Sequence, residues 1–123
     1  MEDFKIADLQ VLGAVIRPFE RIFDPNDATK YVLQPSEHAF DENWAAYEKL
    51  RKQNDIKLIN SHEDLTETKY MDYKLNFFYK LVGGDIIKSL EDIDKMYEKG
   101  IRVIQLVDQI NNHLCPCFKT AKG

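Results

Sequence analysis

Apolar residues in this chain keep two rhythms, and the stretch from Tyr73 to Val107 shows both in succession. Residues 75–82 (Leu-Asn-Phe-Phe-Tyr-Lys-Leu-Val) are short, aromatic and branched, and end at Gly83-Gly84, which predicts a largely buried strand. Ile86, Leu90, Ile93 and Tyr97 then recur at helical spacing. Lys88, Glu91, Asp92, Lys95 and Glu98 take the other faces, with Asp85 placed to cap the helix and Gly100 to stop it. A second apolar run, residues 101–107, follows at once. Two strands joined through such a helix lie parallel with a right-handed crossover, so the unit predicted is βαβ.

Upstream the rhythm is less regular. Phe4, Ile6, Leu9 and Leu12 make a weak amphipathic start, Gly13 breaks it, and residues 14–19 read as a first strand whose end is marked by Pro18. Asp24-Pro25-Asn26-Asp27 is turn chemistry, and from there to Pro35 the pattern predicts a loop. Ser36 caps the longest helix, with Phe40, Trp44, Tyr47 and Leu50 as its apolar stripe and Asn54-Asp55 at its end. Residues 56–59 form a short strand. Ser61-His62-Glu63-Asp64, a serine with an acid three residues on, opens a brief helix through Leu65 to about Tyr70. Alternation of this kind predicts one α/β domain over residues 1–123 with a mostly parallel sheet.

Composition narrows the class of function. Lys and Arg number 17 against 21 Asp and Glu, a formal charge of -4, and the two signs are interspersed, so the basic footprint of a nucleic-acid binder is missing. Met1-Glu2-Asp3-Phe4-Lys5 has acids where a secretion signal needs a basic start and an apolar run, and no stretch reaches the length of a membrane span. The expectation is a cytoplasmic protein with no membrane or nucleic-acid partner. Cys115 and Cys117 are too few for a disulfide framework and too close to bridge each other without strain, which predicts free thiols.

Several residues invite chemistry. Asp85 sits where a strand passes into a helix, either as a cap or as an acid facing a ligand, and Asp108 lies just past a strand end, where parallel-sheet proteins place their sites. His62-Glu63-Asp64 and His38 with Asp41 and Glu42 have metal-ligand spacing, but helix-start capping and solvation account for both. His113, Cys115 and Cys117 gather three soft ligands where a closed zinc site needs four. Gly83-Gly84 lacks the fuller glycine fingerprint of a phosphate loop, and Asp85 puts negative charge where the phosphate would lie. Arg17, Lys57 and Lys80 are isolated charges on or near strands, expected at solvent or an edge.

Taken together, Leu81-Val82-Gly83-Gly84-Asp85, the helix of residues 88–97, and Gly100-Ile101-Arg102 resemble the membrane dipeptidase (renal dipeptidase) family of zinc metallopeptidases. In that family a strand ends in Glu-Gly-Gly, a helix ends in Tyr-x-x-Gly-Val-Arg, and the next strand reads toward Leu-Thr-His-Asn. Asp8-Leu9 with Gly13, and residues 56–65, are similar to further passages of the family pattern. The resemblance implies a (β/α)8 TIM barrel, of which 123 residues would be about half, as a fragment or a shortened relative. Two open sheet edges would then favour self-association.

The same resemblance implies hydrolysis of dipeptide-like substrates with a zinc pair. Here the position of the metal-bridging glutamate is Val82, which cannot ligate, and the family's substrate-binding histidine falls at Asp108. Asn112 matches a later asparagine, and Asp85 and Asn112 are the candidates to touch substrate. No metal ligand is assigned and no zinc is expected to bind, so the chain reads as an inactive dipeptidase relative. The alternative is a non-catalytic α/β binding or assembly module.

Overall fold

A computed structural model describes residues 10–68, 75–108 and 110–116. The early amphipathic segment as far as Leu9, the end of the brief helix near Tyr70, and Cys117 lie outside the described residues; Leu12, its last apolar position, belongs to the first strand. The fold is mixed α/β: β1 (Val11–Ile16), β2 (Phe19–Asp24), β3 (Asp27–Pro35), α1 (Glu37–Gln53), β4 (Lys57–Leu58), α2 (His62–Thr68), β5 (Asn76–Val82), α3 (Leu90–Glu98) and β6 (Ile101–Gln105). Among the described residues no helix is long and apolar enough to cross a membrane.

The parallel sheet is built around β5, the most continuously apolar strand. β1 runs along one of its edges in the register Val11↔Asn76 to Ile16↔Leu81. β4 pairs parallel with its first residues and β6 with its last. The strand pairings of the predicted βαβ unit are therefore present. β5, however, lies between β1 and β4, whereas consecutive strands of a barrel are neighbours, and no closed barrel forms among the described residues.

Leu12, Ala14 and Ile16 of β1 and Phe77, Tyr79 and Leu81 of β5 point to one face, against α1. Phe40 of α1 is 2% exposed and Tyr79 fully buried. Tyr47 meets Phe77 edge-on at 6.0 Å between ring centres. The serine cap of α1 forms as its sequence predicts, Ser36 Oγ accepting from the Ala39 amide at 3.0 Å, and Asp55 leaves the helix with φ of 53°, a left-handed conformation that aspartate tolerates. Tyr79 Oη donates to Glu48 at 2.6 Å, and Arg51 grips both oxygens of the same carboxylate. The Arg51 hydrogen bond holds the Glu48 carboxyl below its usual range, and burial raises the Tyr79 phenol.

Four expectations are corrected. Gly13 does not break a helix; it lies inside β1 opposite Phe78, and a Cβ there would stand 2.7 Å from the Phe78 ring, so glycine gives the ring room to lie across the neighbouring strand. Strand β1 accordingly starts at Val11 and ends before Pro18, not at Phe19.

The predicted loop from Asp24 to Pro35 is a hairpin. Pro25-Asn26 make its turn, closed by Asp24 Oδ1 accepting from the Asn26 amide at 2.8 Å, and β2 and β3 pair antiparallel in a second sheet. Its alternation was masked because both faces of the hairpin are largely in solvent, with Phe23 stacked on Tyr31 at 4.7 Å on one of them.

Asp85 does not cap the helix. Residues 85–86 are a turn, and Ser89 caps α3 in a reciprocal box in which Ser89 Oγ accepts from the Asp92 amide and Asp92 accepts from the Ser89 and Lys88 amides. Finally, the stripe Leu90, Ile93, Tyr97 faces outward, Leu90 being 80% exposed; Met96 is the residue α3 buries. Gly100, with φ of 90°, ends the helix as expected.

β6 carries an irregularity that sets the far side of the sheet. Tyr79 faces Ile101 but Lys80 faces Val103, so Arg102 is bulged out. The extra residue keeps Ile101 and Ile104 both toward the core and frees Arg102 to stack on Tyr97 at 3.6 Å and donate to the Asn60 carbonyl at 2.8 Å.

Candidate functional site

Because β1, β5 and β6 are parallel, their C-terminal ends share one rim of the sheet, where α/β proteins assemble their sites. The sequence candidates Asp85, Asp108 and Asn112 all belong to segments leaving that rim. Gly83 and Gly84 prolong β5 by donating to the carbonyls of Gln105 and Leu106, each at 3.0 Å. Gly83 has φ of 98°, and a Cβ on it would strike the Phe19 ring; on Gly84 it would lie 2.5 Å from Leu114. The two glycines thus let the hairpin base and the loop after β6 close over the strand end.

Asp85 is buried there, 6% exposed. Asn112 Nδ2 donates to Asp85 Oδ2 at 3.2 Å and to the Leu106 carbonyl at 2.8 Å, while its Oδ1 accepts from the amides of Leu114 and Cys115. Asn112 is therefore the hub that folds residues 110–116. His113 Nε2 meets the Ile87 carbonyl at 2.5 Å, which engages one of the three residues of the His-x-Cys-x-Cys run in loop closure; Cys115 is a free thiol, as predicted.

Asp108 is brought to the same rim but turns to Arg17, with which it forms an ion pair from the end of β6 to the end of β1. Sequence reasoning passed over Arg17 as an isolated charge; nothing local distinguishes it, since its partner is 91 residues away. Lys57 likewise pairs, with Asp64 at 3.5 Å. Asp64 also caps α2 by accepting from the Asn60 and Ser61 amides, and the Asn60 bond lowers its carboxyl, so His62-Glu63-Asp64 is a helix start. His38 meets Glu42 at 3.1 Å on the exposed surface of α1.

The donor set at the strand ends does not fit a zinc pair. Val82, at the position that the resemblance assigns to the bridging glutamate, is an apolar side chain 8% exposed, and the Asp108 carboxylate faces a guanidinium. Among the described residues, no three His, Cys, Asp or Glu side chains converge on one point. What the arrangement does chemically is set Arg17 against Asp108 and give Asp85 and the Leu106 carbonyl a donor in Asn112.

Comparison with known protein families, characterised proteins and solved structures finds no match to this chain.

Proposed function

We propose that this chain is a non-catalytic relative of the zinc dipeptidases that works as an α/β binding or assembly module. The observation that carries the reading is Val82: a buried valine ends the central strand where a dipeptidase-like site would need a bridging carboxylate. Two neighbours support it. Asp108, at the position of the family's substrate-binding histidine, is neutralised by Arg17, and Asn112 spends its amide on Asp85 and on the backbone of its own loop instead of on a dipeptide. On this reading the sheet is a shortened, rearranged portion of a (β/α)8 barrel in which β5 has moved next to β1, and the protein works in the cytoplasm, where Cys115 stays reduced.

The test is metal content by mass spectrometry after mild purification, with dipeptide hydrolysis followed in the presence of added zinc. The expected result is well under one zinc per chain and no turnover. About two zinc ions per chain with hydrolysis would overturn the reading.

The assembly half of the proposal rests on α3. Leu90, Ile93 and Tyr97 line its outer face, 80%, 44% and 61% exposed, and β6 beside it has β5 as its sole partner strand among the described residues. The partner that fits is a second copy. It pairs through the open edge of β6, which continues the sheet across a two-fold axis, with the α3 stripes beside the seam.

A further inference from the structure

Among the described residues the parallel sheet is covered by α1 on one face only, although parallel sheets are ordinarily covered on both. On the open face Val11, Ile59, Leu65, Phe78 and Val103 line a groove of about 410 Å3 under the start of α2. That size suits a small molecule. Gly13 contributes by absence, since the Phe78 ring spreads over it and forms a flat floor.

Among the described residues that line the groove there is no Asp or Glu, in a chain where acids outnumber bases, while His62 and Arg102 are present. Arg102 uses Nε and Nη1 on the carbonyls of Asn60, Tyr97 and Ile101, which leaves the Nη2 amino group as donor capacity. Lys80 stands two residues after Phe78 on the same face, flanked across the sheet by Val15 and Val103, and is half-buried.

We propose that this groove binds a small apolar carboxylate, an aliphatic or aryl acid, with its hydrocarbon on Phe78, Val11 and Leu65 and its carboxylate at the Arg102 and Lys80 side. Charge complementarity selects this occupant. A neutral apolar molecule leaves the cationic rim without counter-charge, and a second copy laid on this face would set Lys80 and Arg102 against their own equivalents. The groove is separate from the strand-end cluster of Asp85, Asp108 and Asn112, so the proposal goes beyond the non-catalytic reading: dipeptide hydrolysis would overturn that reading and leave this one standing.

The experiment is isothermal titration calorimetry of octanoate and octan-1-ol into the full chain, repeated with Val103→Glu and Lys80→Met. Circular dichroism confirms that each variant is folded. Val103 is 41% exposed on an edge strand, so glutamate there adds an acid beside the groove without filling a core site. The expected result is saturable one-to-one binding of octanoate, about tenfold or more weaker for octanol, weakened at least about tenfold by Val103→Glu and several-fold by Lys80→Met. Equal affinity for acid and alcohol, no saturable binding of octanoate, or folded variants that bind as the parent does would each overturn the proposal.

Discussion

Arg17, one residue past the end of β1, donates through Nη2 to Asp108, past the end of β6, and so ties the two flanks of the sheet across the end of β5. The Arg17 side chain is about half exposed and that of Asp108 about one-fifth, which puts the pair in the solvent-screened class. A double-mutant cycle with Arg17→Met and Asp108→Asn is expected to give a coupling of about 0.2–1 kcal/mol by urea denaturation in low salt. The coupling should shrink toward zero near 1 M salt, where the screening length is about 3 Å. A coupling unchanged by salt would mean that the pair is buried more deeply than its exposure indicates.

Ser89, not Asp85, starts α3, and substitution separates the two roles. Ser89→Ala removes the acceptor of the Asp92 amide and half of the reciprocal box, with an expected loss of about 1 kcal/mol in urea denaturation and faster hydrogen exchange in the first turn of the helix. Asp85→Ala should leave that turn protected and instead loosen residues 110–116, because Asn112 loses an acceptor there. Equal exchange effects from both substitutions would contradict the assignment.

Glu48 makes the helix–sheet contact sensitive to acid. Its folded carboxyl lies below the ordinary value of 4.5, first because Arg51 hydrogen-bonds it and further because Tyr79 does. A carboxyl depressed on folding contributes stability that is present above its unfolded pKa and lost as pH falls through the folded one. The stability difference between the parent and Glu48→Gln is therefore expected to be level from pH 7 to about 5 and to narrow as the pH drops further. Denaturation midpoints at half-unit steps between pH 7 and 3 measure it. A difference that grows on acidification would reverse the assigned sign.

The parts of the fold that could be read from the residues are those fixed by local chemistry. Ser36 and the stripe from Phe40 to Leu50 define α1 because cap and periodicity agree, and Gly100 marks the end of α3 because only its φ lets the chain turn there. Failures came where tertiary context overrode a local sign. Gly13 reads as a breaker until Phe78 is seen to occupy the space of its missing side chain. Leu90, Ile93 and Tyr97 read as a core face, yet α3 buries Met96 instead. The Ser89-x-x-Asp92 signature was present in the sequence and identifies the true cap, but Asp85 after two glycines competed with it. At the strand ends Asp85, Asp108 and Asn112 were found as residues, and the bonds that occupy them were not, because Arg17 and Asp108 meet only through the pairing of β1 and β6 with β5.

The exposed stripe on α3 makes the last prediction. Leucine, isoleucine and tyrosine at one helical spacing present a continuous apolar surface, and solvent is a poor partner for it. If a second copy covers the stripe, sedimentation from about 10 μM to 1 mM chain should show a monomer–dimer equilibrium with no larger species, since a two-fold contact closes on itself. Leu90→Glu should abolish the dimer while moving the monomer's stability by no more than about 0.5 kcal/mol, because Leu90 contributes little to the core of one copy. Ile93→Glu, in the middle of the stripe and 44% exposed, should do the same. A dimer that survives both substitutions would rule out the stripe as the contact, and a monomer across the whole concentration range would rule out a self-associating module.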